Sequence, residues 1–505
     1  MKAFKYSVKD AFALFFLILG ILLLTCAKKE DVIILGEFGS LTGTTATFGK
    51  SSQKGIQMAI DEVNKAGGIN GKFLKIIVED DQSKPEEAAT AVKKLVSQDK
   101  VLLVLGEVAS SRSLAGAPIC QNAGVPMITP SSTNPKVTQV GDYIFRVCFI
   151  DPFQGEVMAK FAWNTLKVSK AAILKDVKND YSVGLAHFFT DTFTKLGGKI
   201  LCDESYSEGD IEFRAQLTSI RAKNPDVIFI PGYYTEVGLI ARQARDLGIK
   251  VPLIGGDGWD SPRLLEIGGE ALNNCYYSNH YTPEDPRPEI QNFIKEFKVR
   301  YNEIPDAMAP LGYDAAMIAC DAIKRSGVLS PGNVELAFKN SKGTKNLMEV
   351  INTPDNREKI KHAIAQTKDF PGATGIITID ENRNAKKPAV VLKVEDQKLK
   401  YVETINPSDE KDGKEKSQIN STDTEISDNS SNNETYFSIS GMDDGYKWNK
   451  TVYEAKMNLC EDLARRIGRR DARFYYDCLE EFYNTSDPNL LKTTIAEIAG
   501  MASVM

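Results

Sequence analysis

The sequence predicts an α/β protein of two lobes. From residue 31, strand-like apolar segments alternate with helix-like amphipathic segments, and the alternation occurs in two successive series. Polar residues follow the strands of both series. Strands that alternate with helices form parallel sheets covered by helices on both faces. Two series therefore predict two sheets, and ligands of such sheets bind beyond the carboxyl ends of the strands.

The first series predicts lobe 1. Its opening strand, DVIILGEFG, precedes an amphipathic helix that ends at paired glycines, GKSSQKGIQMAIDEVNKAGG. The alternation then continues through KFLKIIVEDD, PEEAATAVKKLVSQ, VLLVLGEV, a helix from Ser110, and VPMITP.

The second series predicts lobe 2. It runs through AAILKDV, VGLAHFFTDTFTKLGG, KILCDESY, FRAQLTSIRAKNP, DVIFIPGYY, EVGLIARQARDLG and VPLIGGDG. Two long helical stretches follow at 287–304 and 312–326. Residues 329–350 have no clear pattern, and the chain then returns to strands and turns.

The N-terminal segment is predicted to be a signal peptide, residues 1–26. Lysines precede the apolar run AFALFFLILGILLL, which is shorter than the stretch of about 18 residues that spans a membrane. The segment resembles a bacterial lipoprotein signal, in which Cys26 would be lipidated. Thr25 departs from that pattern, so simple secretion or an uncleaved anchor stay open.

The C-terminal region differs in composition from the lobes. Residues 407–440 contain few apolar residues and are predicted to be a polar linker. Residues 441–505 have apolar residues at helical spacing and are predicted to form a small helical segment of unknown role. Cys460 and Cys478 either pair across a helical hairpin or stay as thiols.

Composition argues against several classes of protein. The net charge of −6 disfavours a nucleic-acid-binding protein, because such proteins need a basic surface. The three histidines are scattered and no CxxC occurs among the eight cysteines, so we expect no metal site and no cofactor. The loop TGTTATFGKSSQKG is not a phosphate loop, because five residues separate Gly43 from Gly49 where that motif needs four. We expect this loop to bring Phe48 toward the cleft.

Five strands, drawn from both lobes, end in hydrogen-bonding groups. The strand at VLLVLGEVA is followed by Ser110 and Ser111, and the others end in SST, KNDY, YY and DG. Each hydroxyl alone is explained by helix capping. Their occurrence at five strand ends favours a binding cleft between the lobes.

Several motifs carry a resemblance to one family. They are GSLTGTTATFG, AIDEVNKAGGINGK, GEVASSRSLAGAP, PMITPSST, DYIFR, GDIEFRAQLTSIRAKNPDVIFIPGYY, IARQARDLG, GGDGW and TKDFPGATGIITIDENRNAKKPAVVLKV. In these motifs, over about residues 31–403, the chain resembles the Leu/Ile/Val-binding proteins, the extracytoplasmic receptors of branched-chain amino-acid ABC transporters.

The resemblance implies a type I periplasmic-binding-protein fold with three hinge crossovers, near 147–151, 276–282 and 373–378. Lobe 1 would comprise residues 27–147 and 282–372. Lobe 2 would comprise residues 148–281 and 373–406.

The resemblance also implies the ligand contacts. Ser110 and the segment Ser131, Ser132 and Thr133 would hold the α-carboxylate and part of the ammonium. Asp257 would accept the ammonium, where the family's best-known members have Glu; a turn-forming Asp is the alternative. Tyr181 and Tyr233 would close over the ligand and Phe48 would line its side-chain pocket, the alternative being buried strand-end aromatics. Arg112 is then not needed as a counter-ion and is interpreted as a surface residue.

The function implied is a binding protein, not an enzyme. It would capture a free branched-chain or similar aliphatic amino acid, with Leu, Ile or Val favoured, outside the cytoplasm, deliver it to a membrane permease, and be anchored to the membrane through Cys26. An alternative is a sensor that signals to a partner through the C-terminal extension. A hydrolase using Ser110 or Ser131 is disfavoured, because no GxSxG motif occurs and no histidine lies beside either serine.

Overall fold

The computed structural model describes residues 32–341 and 346–407, together with Cys460 and Leu479. The chain divides into two units at Asp412, and residues 32–407 belong to the first. The predictions for Cys26, the signal peptide, the linker and the C-terminal helical segment lie outside the described residues, as does Cys478.

Lobe 1 contains a sheet of five parallel strands. They are β1 Val32–Gly39, β2 Phe73–Asp80, β3 Val104–Leu105, β4 Met127–Thr129 and β5 Ile144–Arg146. Their order across the sheet is β2-β1-β3-β4-β5. Leu35 and Phe38, which strand alternation places on opposite faces of the interior strand β1, are both buried, as expected where helices cover both faces of a sheet.

The helices of lobe 1 come from two separate parts of the chain. The first part supplies α1 Ala46–Lys65, α2 Pro85–Ser97, α3 Ser110–Ala123 and α4 Lys136–Gln139. After lobe 2, the chain adds α10 Pro288–Tyr301, α11 Met308–Arg325, α12 Pro331–Asn340, α13 Leu347–Ile351 and α14 Pro354–Ala365.

The two parts of lobe 1 are joined by close packing of α1 against α11. A Cβ atom at Gly55 would lie 1.8 Å from the carbonyl oxygen of Ala309, and one at Gly312 would lie 2.4 Å from that of Ser52. Only glycine permits this approach of two helix backbones. The helix that carries Phe48 is thereby held in place by a segment far away in the chain.

Lobe 2 contains a seven-stranded sheet. Its strands are β6 Lys170–Asp176, β7 Lys199–Tyr206, β8 Val227–Phe229, β9 Leu253–Gly255, β10 Cys275–Asn279, β14 Ala389–Glu395 and β15 Lys398–Ile405. Their order across the sheet is β15-β14-β10-β9-β8-β6-β7. Strands β6 to β10 are parallel, and β14 and β15 at one edge pair in antiparallel fashion.

The helices of lobe 2 follow its strands as the sequence predicts. They are α5 Asp151–Lys160, continued by a π-helical turn at Phe161–Thr165, α6 Asp180–Lys195, α7 Arg214–Lys223, α8 Tyr234–Asp246 and α9 Pro262–Gly268. Short 3₁₀ turns lie at Asp257–Trp259 and Gly269–Leu272. The predicted two-lobed α/β fold is confirmed.

The chain passes between the lobes three times. It leaves lobe 1 between β5 and α5 and returns between β10 and α10. A small sheet, β11 Phe370–Gly372, β12 Gly375–Ile379 and β13 Ala385–Lys386, packs with the core of lobe 1, which includes Ile377 and Ile379. The third passage therefore lies between β13 and β14, later in the chain than the boundary at 373 suggested by the sequence.

Candidate ligand-binding site

The two lobes meet at the carboxyl ends of their strands, and the residues singled out from the sequence are buried there. Exposed fractions are 5% or less for all of them: Phe48, Ser110, Ser131, Ser132, Thr133, Tyr181, Tyr233 and Asp257. Buried polar groups are costly unless they are paired. The hydrogen bonds of each residue therefore show what role it has in the fold and which groups stay available.

Ser110 does not cap its helix. The residue before α3 is Ala109, and no side chain caps this helix. The Ser110 hydroxyl instead accepts a hydrogen bond from the Asn134 main-chain N–H at 3.2 Å. This bond joins the start of α3 to the loop after β4, so the two polar strand ends of lobe 1 form one surface. The first N–H groups of a helix have no partner within it and suit an anion.

The segment 131–133 places its three hydroxyls in two different environments. The Ser132 hydroxyl donates to the main-chain carbonyl of Glu107 at 2.8 Å, and its N–H donates to the Thr129 hydroxyl at 2.9 Å. Ser132 is thus satisfied inside lobe 1. The hydroxyls of Ser131 and Thr133 are buried without a hydrogen bond in the described structure. These two are the available groups of the segment.

The loop that carries these hydroxyls is held from behind by Arg146, from the DYIFR motif. This side chain is fully buried. Its guanidinium donates to the carbonyls of Ser132 and Asn134, the latter at 2.8 Å, and to the side chain of Asn384 at 2.6 Å. Because these bonds hold the main-chain carbonyls of the loop, Arg146 fixes the position of the loop.

The Asp257 side chain does not bond to its own turn. Its Oδ1 accepts from the Gln154 amide at 2.8 Å, and its Oδ2 lies 3.0 Å from Nε2 of His280. These are the hydrogen bonds of its carboxylate among the described residues. The side chain therefore lacks the bond expected of a turn-forming Asp. It is held between the first helix of lobe 2 and the second crossover.

Asp151 is a second carboxylate at this end of the cleft. It begins α5, one turn before Gln154, and its main-chain N–H donates to the Thr133 carbonyl at 2.9 Å. Both of its carboxylate oxygens are buried without a hydrogen bond in the described structure. Burial raises the pKa of Asp151 well above its usual range, the neighbouring Thr133 hydroxyl opposes this shift, and the nearby Asp257 adds to it. A cationic partner would stabilise the ionised form of such a buried acid.

Aromatic rings form the remaining wall. The rings of Tyr181 and Tyr233 stack with centroids 5.3 Å apart, and Phe48 from lobe 1 meets Tyr233 edge-on at 5.5 Å and Tyr234 at 4.9 Å. The Tyr181 hydroxyl accepts from the Gly258 main-chain N–H at 3.1 Å, beside Asp257. Val108 and Ala109 belong to the same apolar cluster. The wall thus combines rings from both lobes with small aliphatic groups.

The lobes are also hydrogen-bonded across the mouth of the cleft. We call these contacts the latch: Thr44, Ser111 and Arg112 of lobe 1 with Asp180 and Glu208 of lobe 2. Oε1 of Glu208 accepts from Arg112 at 2.8 Å and from Thr44 at 2.6 Å. The Ser111 hydroxyl donates to the Asp180 carboxylate at 2.9 Å. A cavity of about 590 Å³ at this mouth is lined by latch residues and Tyr233.

The interpretation of Arg112 as a surface residue is wrong. Its side chain is 2% exposed. The residue follows the polar strand end and lies at an interface that local sequence does not reveal. Arg112 therefore contacts the opposite lobe instead of solvent.

Three residues of the site were missed from the sequence: Asp151, Gln154 and His280. Asp151 and Gln154 are three residues apart at the start of a helix, a spacing that places them on one face. That signal is visible in the segment IDPFQGE. His280 gives no such signal, because it reaches Asp257 only through the position of the second crossover.

Other chemistries find little support in the described part of the chain. No group of His, Cys, Asp and Glu there could hold a metal ion. The buried histidine bonds to Asp257 and not to Ser110 or Ser131. Among the described residues, no helix is long and apolar enough to cross a membrane.

Comparison with known proteins gives one consistent result. A family model described as periplasmic binding protein matches residues 33–398. A leucine-, isoleucine-, valine-, threonine- and alanine-binding protein of Pseudomonas aeruginosa is 32% identical over 315 residues, 62% of this chain and 83% of the relative. The matched segment spans 63% of an amino acid binding protein of the same organism and 88% of a Leu/Ile/Val-binding protein of Rhizobium johnstonii.

Solved structures agree with the curated relatives. The leucine-binding protein LivK of Thermotoga maritima is 40% identical with a TM-score of 0.67, and the match covers 74% of this chain and 99% of that one. The branched-chain amino-acid transporter substrate-binding protein LivJ of Streptococcus pneumoniae, solved with isoleucine, is 32% identical with a TM-score of 0.66. The match covers 74% of this chain and 100% of that one.

Proposed function

The chain belongs to the periplasmic binding protein family, and from this premise we propose that it captures a free branched-chain amino acid between its lobes. One observation carries the proposal. Buried hydroxyls without partners, on Ser131 and Thr133, lie at the same closed interface as two buried carboxylates, Asp151 and Asp257. A zwitterion has the complementary pair of charges.

The carboxylate of the ligand would lie against lobe 1. Ser110, Ser131 and Thr133 supply hydroxyls, and the start of α3 supplies main-chain N–H groups and the positive end of the helix dipole. No cationic side chain is required. Ser132 supports this surface through its bonds to Glu107 and Thr129.

The ammonium would lie between Asp151 and Asp257. Each carboxylate alone is a buried charge, and a cation between them offsets their mutual repulsion. The Gln154 side-chain oxygen, buried without a hydrogen bond in the described structure, is a further acceptor beside them.

The side chain of the ligand would contact the aromatic wall. Phe48, Tyr181 and Tyr233, with Val108 and Ala109, form an apolar lining that suits Leu, Ile or Val. One methylene changes binding in such a pocket by only about 1–3 kcal/mol. Several aliphatic amino acids are therefore expected to bind, with graded affinities.

Delivery to an ABC transporter permease is part of the same proposal. It rests on the relatives, whose names include a branched-chain amino-acid transporter substrate-binding protein. We place the protein outside the cytoplasm, with the 1–26 segment as its signal and Cys26 as a lipid anchor. The relatives give no support to the sensor alternative.

The test is a calorimetric titration of the full chain with each of the twenty amino acids. We expect Leu, Ile or Val to bind with micromolar affinity, about −8 kcal/mol. Saturation at about 100 times the dissociation constant should add about 2.7 kcal/mol to the free energy of unfolding. Binding of a different metabolite, with no response to any amino acid, would refute the proposal.

A further inference from the structure

The cation side of the cleft contains one group that the proposed function does not use, the imidazole of His280. It lies on the second crossover and its side chain is completely buried. The ring stacks on Phe149 of the first crossover, with centroids 3.8 Å apart and planes 22° apart. Two of the three connections between the lobes therefore fix the plane of this ring.

The hydrogen bond to Asp257 indicates which nitrogen of the ring carries a proton. Nε2 of His280 lies 3.0 Å from Oδ2 of Asp257. An ionised carboxylate only accepts hydrogen bonds, so Nε2 must carry a proton. Nδ1 is buried without a hydrogen bond in the described structure. A neutral ring with its proton on Nε2 satisfies both observations.

We propose that His280 is a positioning residue for the cationic end of the ligand: its neutral imidazole orients Asp257, and its protonation in acid places a competing cation on that carboxylate. The effect of His280 protonation on ligand binding rests on the proposed function. Gln154 holds the other oxygen at 2.8 Å, so the carboxylate is fixed from two sides and keeps further lone pairs for a ligand.

The charged groups around the ring support the neutral form near neutral pH. Burial lowers the pKa of His280, the bond to Asp257 opposes that shift, and Lys387 of the third crossover adds to it. Asp151 of α5 lies close to Asp257, and burial raises its own pKa well above its usual range. A ligand ammonium is one more cation beside the ring, so binding favours neutral His280, and acidification must weaken binding.

The first arm of the test needs no ligand. The full chain has three histidines, so selective ¹⁵N labelling of imidazole gives three ring systems that His→Gln variants assign. At pH 7 we expect the ring of His280 to be neutral with its proton on Nε2. A charged ring or a proton on Nδ1 would overturn the proposal.

The second arm measures affinity for the amino acid that binds best, at pH 7.5 and pH 5. The affinity of the wild type should fall at least tenfold from pH 7.5 to pH 5. His280→Gln, whose amide replaces the donor, should stay within about threefold of wild type at pH 7.5 and lose at least fivefold less than wild type on acidification. His280→Leu, without a donor, should bind at least tenfold more weakly at pH 7.5.

The matched control is His362→Gln, because His362 is 61% exposed on α14 of lobe 1. It should behave as wild type at both pH values. If acidification weakens binding by His280→Gln as much as it weakens binding by wild type, the proposal is overturned. The loss of affinity is then assigned to the carboxylates. If no amino acid binds the wild type, the proposed function fails, and the imidazole spectrum still decides whether His280 positions Asp257.

Discussion

Replacement of Asp257 by Asn is the sharpest test of the cation site. The change keeps the size of the side chain and removes its charge, and Asn supports the same turn. The new amide would offer one oxygen to the two donors that hold the carboxylate, Gln154 and His280. The imidazole can move its proton to Nδ1 and accept on Nε2, so we expect the variant to fold.

The magnitude follows from what remains around the ligand. Removing one partner of a buried ion pair costs about 3–5 kcal/mol. Asp151 stays in the cleft and retains part of the attraction, so the lower end applies, about 3 kcal/mol. That is roughly a hundredfold in the dissociation constant.

The assay is calorimetric titration of the variant with the best ligand, with thermal unfolding of the ligand-free protein in parallel. Asp203→Asn removes a charge from the surface of lobe 2, where Asp203 pairs with Lys175, and serves as the charge-matched control. Its affinity should equal that of wild type. If Asp257→Asn folds normally and its affinity for the ligand is unchanged, Asp257 is not the partner of the ammonium, which is then held elsewhere.

Three further predictions concern other parts of the molecule. Glu208→Gln should speed ligand dissociation about tenfold to a hundredfold, because charge-assisted bonds across the latch contribute about 1.5–3 kcal/mol. Stopped-flow displacement measures the dissociation rate. An unchanged rate would mean that the latch does not hold the closed form. Cys26→Ala should abolish incorporation of radiolabelled palmitate, and equal labelling of the wild type and the variant would refute the anchor. Truncation after Pro407 should leave affinity within about threefold, under 1 kcal/mol; a tenfold loss would implicate the tail in binding.

The fold was predictable because its signals are local. Alternation of strands and helices is written into segments of ten to twenty residues, and the polar strand ends mark one edge of each sheet. The small sheet at 370–386 was harder to place, because its strands read like those of lobe 2. Its packing shows that it belongs to lobe 1: Ile377 and Ile379 enter that core, and Asp314 of α11 accepts main-chain bonds from Ala373 and Thr374.

The site was predictable in part. In the described structure the hydroxyls of Ser131 and Thr133 have no hydrogen bond whereas that of Ser132 is bonded within lobe 1, a distinction that a list of hydroxyls does not make. Arg112 and His280 depend on how the lobes and the crossovers are arranged, and no local pattern encodes that arrangement. Gln154 and His280 contact Asp257 across 103 and 23 residues of sequence.

The first and last strands lie in different lobes. Val32 begins an interior strand of the first sheet, and Ile405 ends an edge strand of the second. A hinge rotation of one lobe against the other therefore changes the distance between these two positions unless its axis passes through one of them. A donor dye attached near residue 32 and an acceptor near residue 405 would convert lobe motion into an optical signal, with neither label inside the cleft. The topology thus provides a fluorescent reporter of amino-acid concentration without redesign of the pocket.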